Sequence, residues 1–193
     1  HIVSYMLDYE VWGLRPSGFI LTNVLLHTLN GVLFFFLLRR WAGGKAWVFV
    51  ASLLFLLHPV QVESVVWASQ RKNLLAMLFF LAGFHGYASY RQAEPGRRGW
   101  FYALSLASFT LALLSKSVAV VLPLVLILFD ICQPAKRETR GMLVDKIPYL
   151  LLAVVFGLVS VLSHSVQSQG GMTSYHGGTP FATFLTMLPV TAR

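Results

Sequence analysis

The chain has 193 residues, of which 56% are hydrophobic and only 11% charged, and its mean hydropathy is +0.69. That leaves too little polar surface to cover a soluble globule of this size, so the composition indicates an integral membrane protein. The formal charge of +8 comes from short clusters between apolar runs, not from a stripe or an arm, which argues against a nucleic-acid partner.

The expected fold is an all-α polytopic transmembrane bundle of about six spans, each needing roughly 20 residues to cross the hydrocarbon. The segment Val3 to Pro16 precedes the first span. Gly18–Leu38 follows with no charge, and it carries Asn23, His27 and Asn30 at helical i, i+4, i+7 spacing. Polar stripes inside spans usually bond a neighbouring helix. Ala46–Leu57 is short and stops at His58-Pro59, because proline drives the residue before it out of helical geometry. The further spans are Asn73–Tyr90, Trp100–Ser115, Val118–Ile131 and Ile147–Ser163. All five tryptophans fall near a span end, where an amphipathic ring prefers the headgroup layer.

The basic residues divide by side. Ten of the fifteen (Arg39, Arg40, Lys45, Arg91, Arg97, Arg98, Lys136, Arg137, Arg140, Lys146) fall on alternate connections, which the positive-inside rule assigns to the cytoplasm. Residues 58–73 then face outward, as does the turn at Lys116. The chain starts without methionine or a signal-like stretch, and the expectation is an internal fragment of a larger protein.

The block from His58 to Asn73 carries the chemistry. A short helix over about 60–71 would put Glu63, Trp67 and Arg71 on one stripe. A carboxylate, an aromatic ring and a guanidinium pointing one way suit a phosphate-bearing lipid or a sugar. In this reading Glu63 and His58 are the catalytic or site-organising candidates, and Arg71, Lys72 and Lys116 hold lipid phosphate. The plainer reading makes Glu63 and Arg71 interfacial charges that fix helix depth, and Lys116 a topology anchor. Asp130 is expected to pair with Lys136 or Arg137. No metal site is expected, since His164 and His176 lack a third ligand at known spacing.

Gly18 to His27, His58-Pro59-Val60-Gln61-Val62-Glu63-Ser64-Val65-Val66-Trp67, Gln70-Arg71-Lys72-Asn73, Leu114-Ser115-Lys116 and Leu122-Pro123-Leu124 with Asp130 occur in that order. Together they resemble the transmembrane, tetratricopeptide-repeat-containing O-mannosyltransferase-like proteins and their bacterial relatives. The chain departs from that pattern at Gln61, Asn73 and Ser117, where many relatives have histidine, aspartate, and glutamate or proline. The resemblance implies a GT-C fold and transfer of a mannose-like sugar from a polyprenyl-phosphate donor to a protein acceptor on the outer face. It also implies a bacterial inner-membrane location with residues 58–73 in the periplasm. A catalytic acid ahead of this region and a C-terminal repeat domain are both expected outside the chain. The competing expectation is a non-catalytic membrane scaffold: an outward cavity joining Arg71, Lys116 and the acidic N-terminal loop would mark the enzyme, and a filled, dry junction the scaffold.

Overall fold

A computed structural model describes residues 2–132 and 144–170. The chain divides into two compact units, residues 1–156 and 157–193. The first contains every contact discussed below; in the second, the described part is the continuation of the last helix.

All the described regular structure is helical: α1 (Ile2–Trp12), α2 (Pro16–Ala42), α3 (Ala46–Leu57), α4 (Val60–Val66), α5 (Arg71–Gln92), α6 (Pro95–Ser115), α7 (Leu122–Cys132) and α8 (Ile147–Gly170). Short 3₁₀ segments, Ala68–Gln70 and Ser117–Val121, lead into α5 and α7. The expected all-α class holds. Among the described residues, only α2 qualifies as a membrane span by length and composition, and α3 with α4, bent by 56°, would count as a second. The sixth expected span runs on as helix to Gly170, and His176 lies outside the described residues.

Proline and charge set the boundaries. Pro16 and Pro95 occupy the first turns of α2 and α6, where a missing N–H costs nothing. The α3 helix stops at His58 as expected, with that residue extended at φ −64°, ψ 129°. The segment before the first span, expected only as an outward connection, forms α1. Its one buried residue is Asp8, while Ile2, Val3, Met6, Leu7 and Val11 are exposed. This helix is therefore docked by its polar side.

The packing centre lies along α5. Tyr87, Phe109, Leu122, Leu126 and Tyr149 are completely buried there. Helices α5 and α6 form an antiparallel hairpin close enough that a Cβ on Gly86 would sit 3.1 Å from the Ser105 backbone. Ser105 Oγ donates to the Gly83 carbonyl at 2.6 Å across the same contact. Small residues with a hydroxyl bond are the usual way for helices to approach this closely where water is absent.

The polar stripe of α2 bonds its neighbours. Asn23 Nδ2 donates to the Val65 and Trp67 carbonyls at 3.1 and 3.3 Å, His27 Nε2 lies 3.0 Å from the Leu56 carbonyl, and Asn30 Nδ2 donates to the Leu74 carbonyl at 3.0 Å. His27 thereby satisfies a carbonyl in the last turn of α3 that has no helical partner beyond Pro59.

Candidate functional site at the α4–α5 end

Arg71 opens α5 and is 0% exposed. Its Nη2 lies 2.5 Å from Asp8 Oδ2 and donates to the Phe19 carbonyl at 2.9 Å. Nε donates to Asn23 Oδ1 at 2.9 Å and Nη1 to the Ser4 carbonyl at 3.2 Å. The Tyr5 and Phe19 rings flank the guanidinium at 4.8 and 5.7 Å. Asp8 also accepts from Thr22 Oγ1 at 3.0 Å. Burial raises the Tyr5 pKa above its usual value, with the Arg71 charge opposing that shift.

This knot corrects the expected role of Arg71. Every nitrogen of its guanidinium is engaged within the protein and none faces solvent, so it ties α1, α2 and α5 together and presents no free charge. The expected stripe of Glu63, Trp67 and Arg71 is also broken. Trp67 is extended at φ −87°, ψ 115°, and at this break Asn23 donates to the Val65 and Trp67 carbonyls and Tyr5 Oη to that of Ala68 at 2.6 Å. The Trp67 and Ala68 carbonyls also accept the Gln70 and Arg71 N–H groups, the tighter bonding of the 3₁₀ turn that leads into α5.

Other members of the block do meet. Lys116 leaves α6 with an extended backbone, and its Nζ donates to Asn73 Oδ1 at 2.7 Å. Asn73 Nδ2 donates to Gln70 Oε1 at 2.8 Å, and Gln70 Nε2 to Glu63 Oε1 at 3.4 Å. Two side-chain amides therefore run from the ammonium to the carboxylate, each accepting on the lysine side and donating on the glutamate side. Glu63 is exposed and Lys116 half-buried.

Below Lys116 lies a groove of about 340 Å³ between α5 and the segment leading into α7. Its α5 wall is Asn73, Ala76, Met77 and Phe80, an i, i+3, i+4, i+7 face; Val118 and Ala119 stand opposite. The walls are apolar and the polar groups sit at the rim. Such a groove accommodates a hydrocarbon chain whose anionic end meets the ammonium.

Lys72 is exposed beside Asn73 at the start of α5. His58 is exposed at the α3–α4 corner, where its Nδ1 accepts from the Val60 N–H at 3.3 Å; it lines a separate depression with Leu54, Leu57 and Pro59. The structure thus groups Glu63 and Lys116 and leaves His58 apart. The sequence reading missed the bridging roles of Gln70 and Asn73, whose three-residue spacing at a helix start was the available signal. Asp8 gave no local signal, since its partner lies 63 positions along the chain.

At the other end of α5, Asp130 is buried and pairs with the Lys146 ammonium; it accepts from Tyr87 Oη at 2.6 Å and faces Arg91 Nε at 3.4 Å. The expected partners Lys136 and Arg137 lie outside the described residues. Burial lowers the Lys146 pKa, and the bond to Asp130 works against that.

The family profile for dolichyl-phosphate-mannose-protein mannosyltransferases matches residues 7–164, a stretch that contains Asp8, Glu63, Arg71, Lys116 and Asp130. The chain belongs to this family. It is 30% identical to protein O-mannosyl-transferase Tmtc1 of Drosophila melanogaster over 75% of its length, and 31% identical to TMTC3 of Homo sapiens over 58%. It is 33% identical to TMTC2 of Mus musculus over 55%. The chain covers 16%, 12% and 13% of those three mannosyltransferase relatives, respectively. No solved structure matches it significantly.

Proposed function

We propose that this chain is the membrane part of a glycosyltransferase that moves a mannose-like sugar from a polyprenyl-phosphate donor to a protein hydroxyl on the non-cytoplasmic side. The observation that carries this reading is the Glu63–Gln70–Asn73–Lys116 chain at the mouth of an apolar groove, in a member of a mannosyltransferase family. The lipid tail lies along Ala76, Met77 and Phe80, and the phosphate meets Lys116, with Lys72 beside it. As the bond between the sugar carbon and the phosphate oxygen breaks, negative charge gathers on the leaving phosphate. A fixed ammonium in a poorly hydrated rim stabilises that charge more than it stabilises the bound donor. The acceptor hydroxyl supplies the oxygen of the new bond and gives up its proton. Glu63 is the nearby carboxylate, suited to taking that proton or orienting a sugar hydroxyl. Arg71 acts through position, fixing the start of α5, and His58 has only an interfacial part.

The six-span arrangement belongs to the same proposal. Arg71 and Arg91 are 20 residues apart on α5, about 30 Å of helix, which matches the hydrocarbon thickness. Leu25 and Phe36 on α2, Leu54 on α3, Leu124 on α7 and Leu151 on α8 are all exposed, as lipid contact requires. Arg39, Lys45, Arg97 and Arg98 then lie on the cytoplasmic side and residues 58–73 in the periplasm of a bacterial inner membrane. The open groove beneath Lys116 supports the enzyme reading, but it does not extend to Arg71 and the N-terminal acids: the junction of Arg71 with Asp8 is filled, as a scaffold would have it.

The test is Lys116→Ala in the full-length protein, reconstituted in vesicles with polyprenyl-phosphate-mannose and assayed for sugar transfer to protein. The expected loss in kcat is about 10²-fold or more, the usual effect of removing one fixed charge-stabilising donor. Unchanged turnover overturns the assignment.

A further inference from the structure

We infer that the α2–α3 hairpin, at the end opposite Lys116, is a binding site for one anionic phospholipid. The inference rests on the membrane reading above. Arg39 in the last turn of α2 and Lys45 at the start of α3 flank a cavity of about 290 Å³ whose walls include Phe35, Val48 and Phe49. Both cations are exposed, and no carboxylate lines the cavity. The neighbouring Arg40 is already committed, donating to Ser89 Oγ at 3.0 Å, the Ala88 carbonyl at 2.9 Å and Gln92 Oε1 at 2.7 Å. Arg39 and Lys45 therefore form the uncommitted positive pair of this hairpin.

The backbone adds to the charge. The turn passes through Gly43 at φ +71°, a conformation that a side chain would resist, so the connection stays short and leaves the mouth unobstructed. Helix α3 then starts without a side-chain cap, so its first N–H groups add positive potential between the two cations.

An apolar depression lies beside this cavity. Phe35 and Phe49 also line a second depression, about 220 Å³, formed with Gly31, Val32, Leu53 and Leu56 along the α2–α3 seam. A cationic mouth with an apolar trough on the far side of Phe35 and Phe49 suits a phosphate headgroup at the mouth and the first part of an acyl chain along the trough. Exposed Trp41 and Trp47 stand at the same level, the depth at which amphipathic rings sit beside headgroups. Charge complementarity selects an anionic lipid over a zwitterionic one, and the trough selects a lipid over a free phosphate.

The experiment is native mass spectrometry of the full-length protein in detergent, titrated separately with phosphatidylglycerol and phosphatidylcholine of equal chain length. Phosphatidylglycerol should bind at least tenfold more tightly. In R39Q/K45Q, which alters only exposed side chains, its affinity should fall roughly 25-fold, from about fivefold per basic residue near a lipid surface. Leu53→Trp, which fills the trough, should weaken binding while leaving both cations in place. Equal retention of the two lipids, an unchanged R39Q/K45Q variant, or displacement by inorganic phosphate at equal concentration would each overturn the site. Sugar transfer in R39Q/K45Q should stay at the wild-type level, so failure here is distinguishable from failure of the donor site.

Discussion

Replacing Arg71 with methionine tests the central structural correction. The change removes the 2.5 Å pairing with Asp8 and the bonds to Asn23, Ser4 and Phe19. It leaves a carboxylate that is 7% exposed with Thr22 as its remaining hydrogen-bond donor. Breaking one side of a buried ion pair costs about 3–5 kcal/mol, mostly the penalty of the stranded charge. Asp8→Asn removes that charge and keeps an acceptor for Thr22, so it should cost less, about 1–3 kcal/mol. In the double variant the stranded carboxylate is gone. Its destabilisation should therefore fall short of the sum by at least 1 kcal/mol, within the usual range for residues in contact. Thermal unfolding of the full chain in detergent, followed by loss of helical circular dichroism, gives all three values. If R71M is as stable as the wild type, or the two changes add to within about 0.5 kcal/mol, then Arg71 does not tie α1, α2 and α5 together. A fully stable R71M that had lost sugar transfer would return Arg71 to the phosphate site.

Asp130→Ala should cost about 3–5 kcal/mol, since it strands Lys146 and Arg91 at the far end of α5, and the same unfolding assay reads it. Gly86→Val should lower the melting temperature by an amount equivalent to about 1–3 kcal/mol, because its Cβ would press on the Ser105 backbone, which cannot swing away. His27→Leu should cost about 1–3 kcal/mol by leaving the Leu56 carbonyl unpaired, and hydrogen exchange should rise first in the last turn of α3. An unchanged exchange rate there would remove His27 as the cap.

Apolar content, proline positions and residue spacing are local properties, so the chain by itself determined the all-helical class, the start of α3 and its stop at His58, and the bonding role of the Asn23–His27–Asn30 stripe. It also marked the region of Glu63 and Lys116, because charges between apolar runs are costly wherever they lie. Tertiary structure decided how those charges are used. Whether Arg71 faces a ligand or a buried partner depends on Asp8, which becomes its neighbour only after α1 docks. At the break at Trp67, the bonds from Asn23 and Tyr5 to the Val65, Trp67 and Ala68 carbonyls come from α2 and α1, more than 40 positions back in the chain. Glu63 and Lys116, 53 positions apart, are joined through Gln70 and Asn73 only when the end of α6 is laid against α5. Long-range pairings of this kind leave no periodic trace, because each needs one residue at one place and the intervening chain is free to vary.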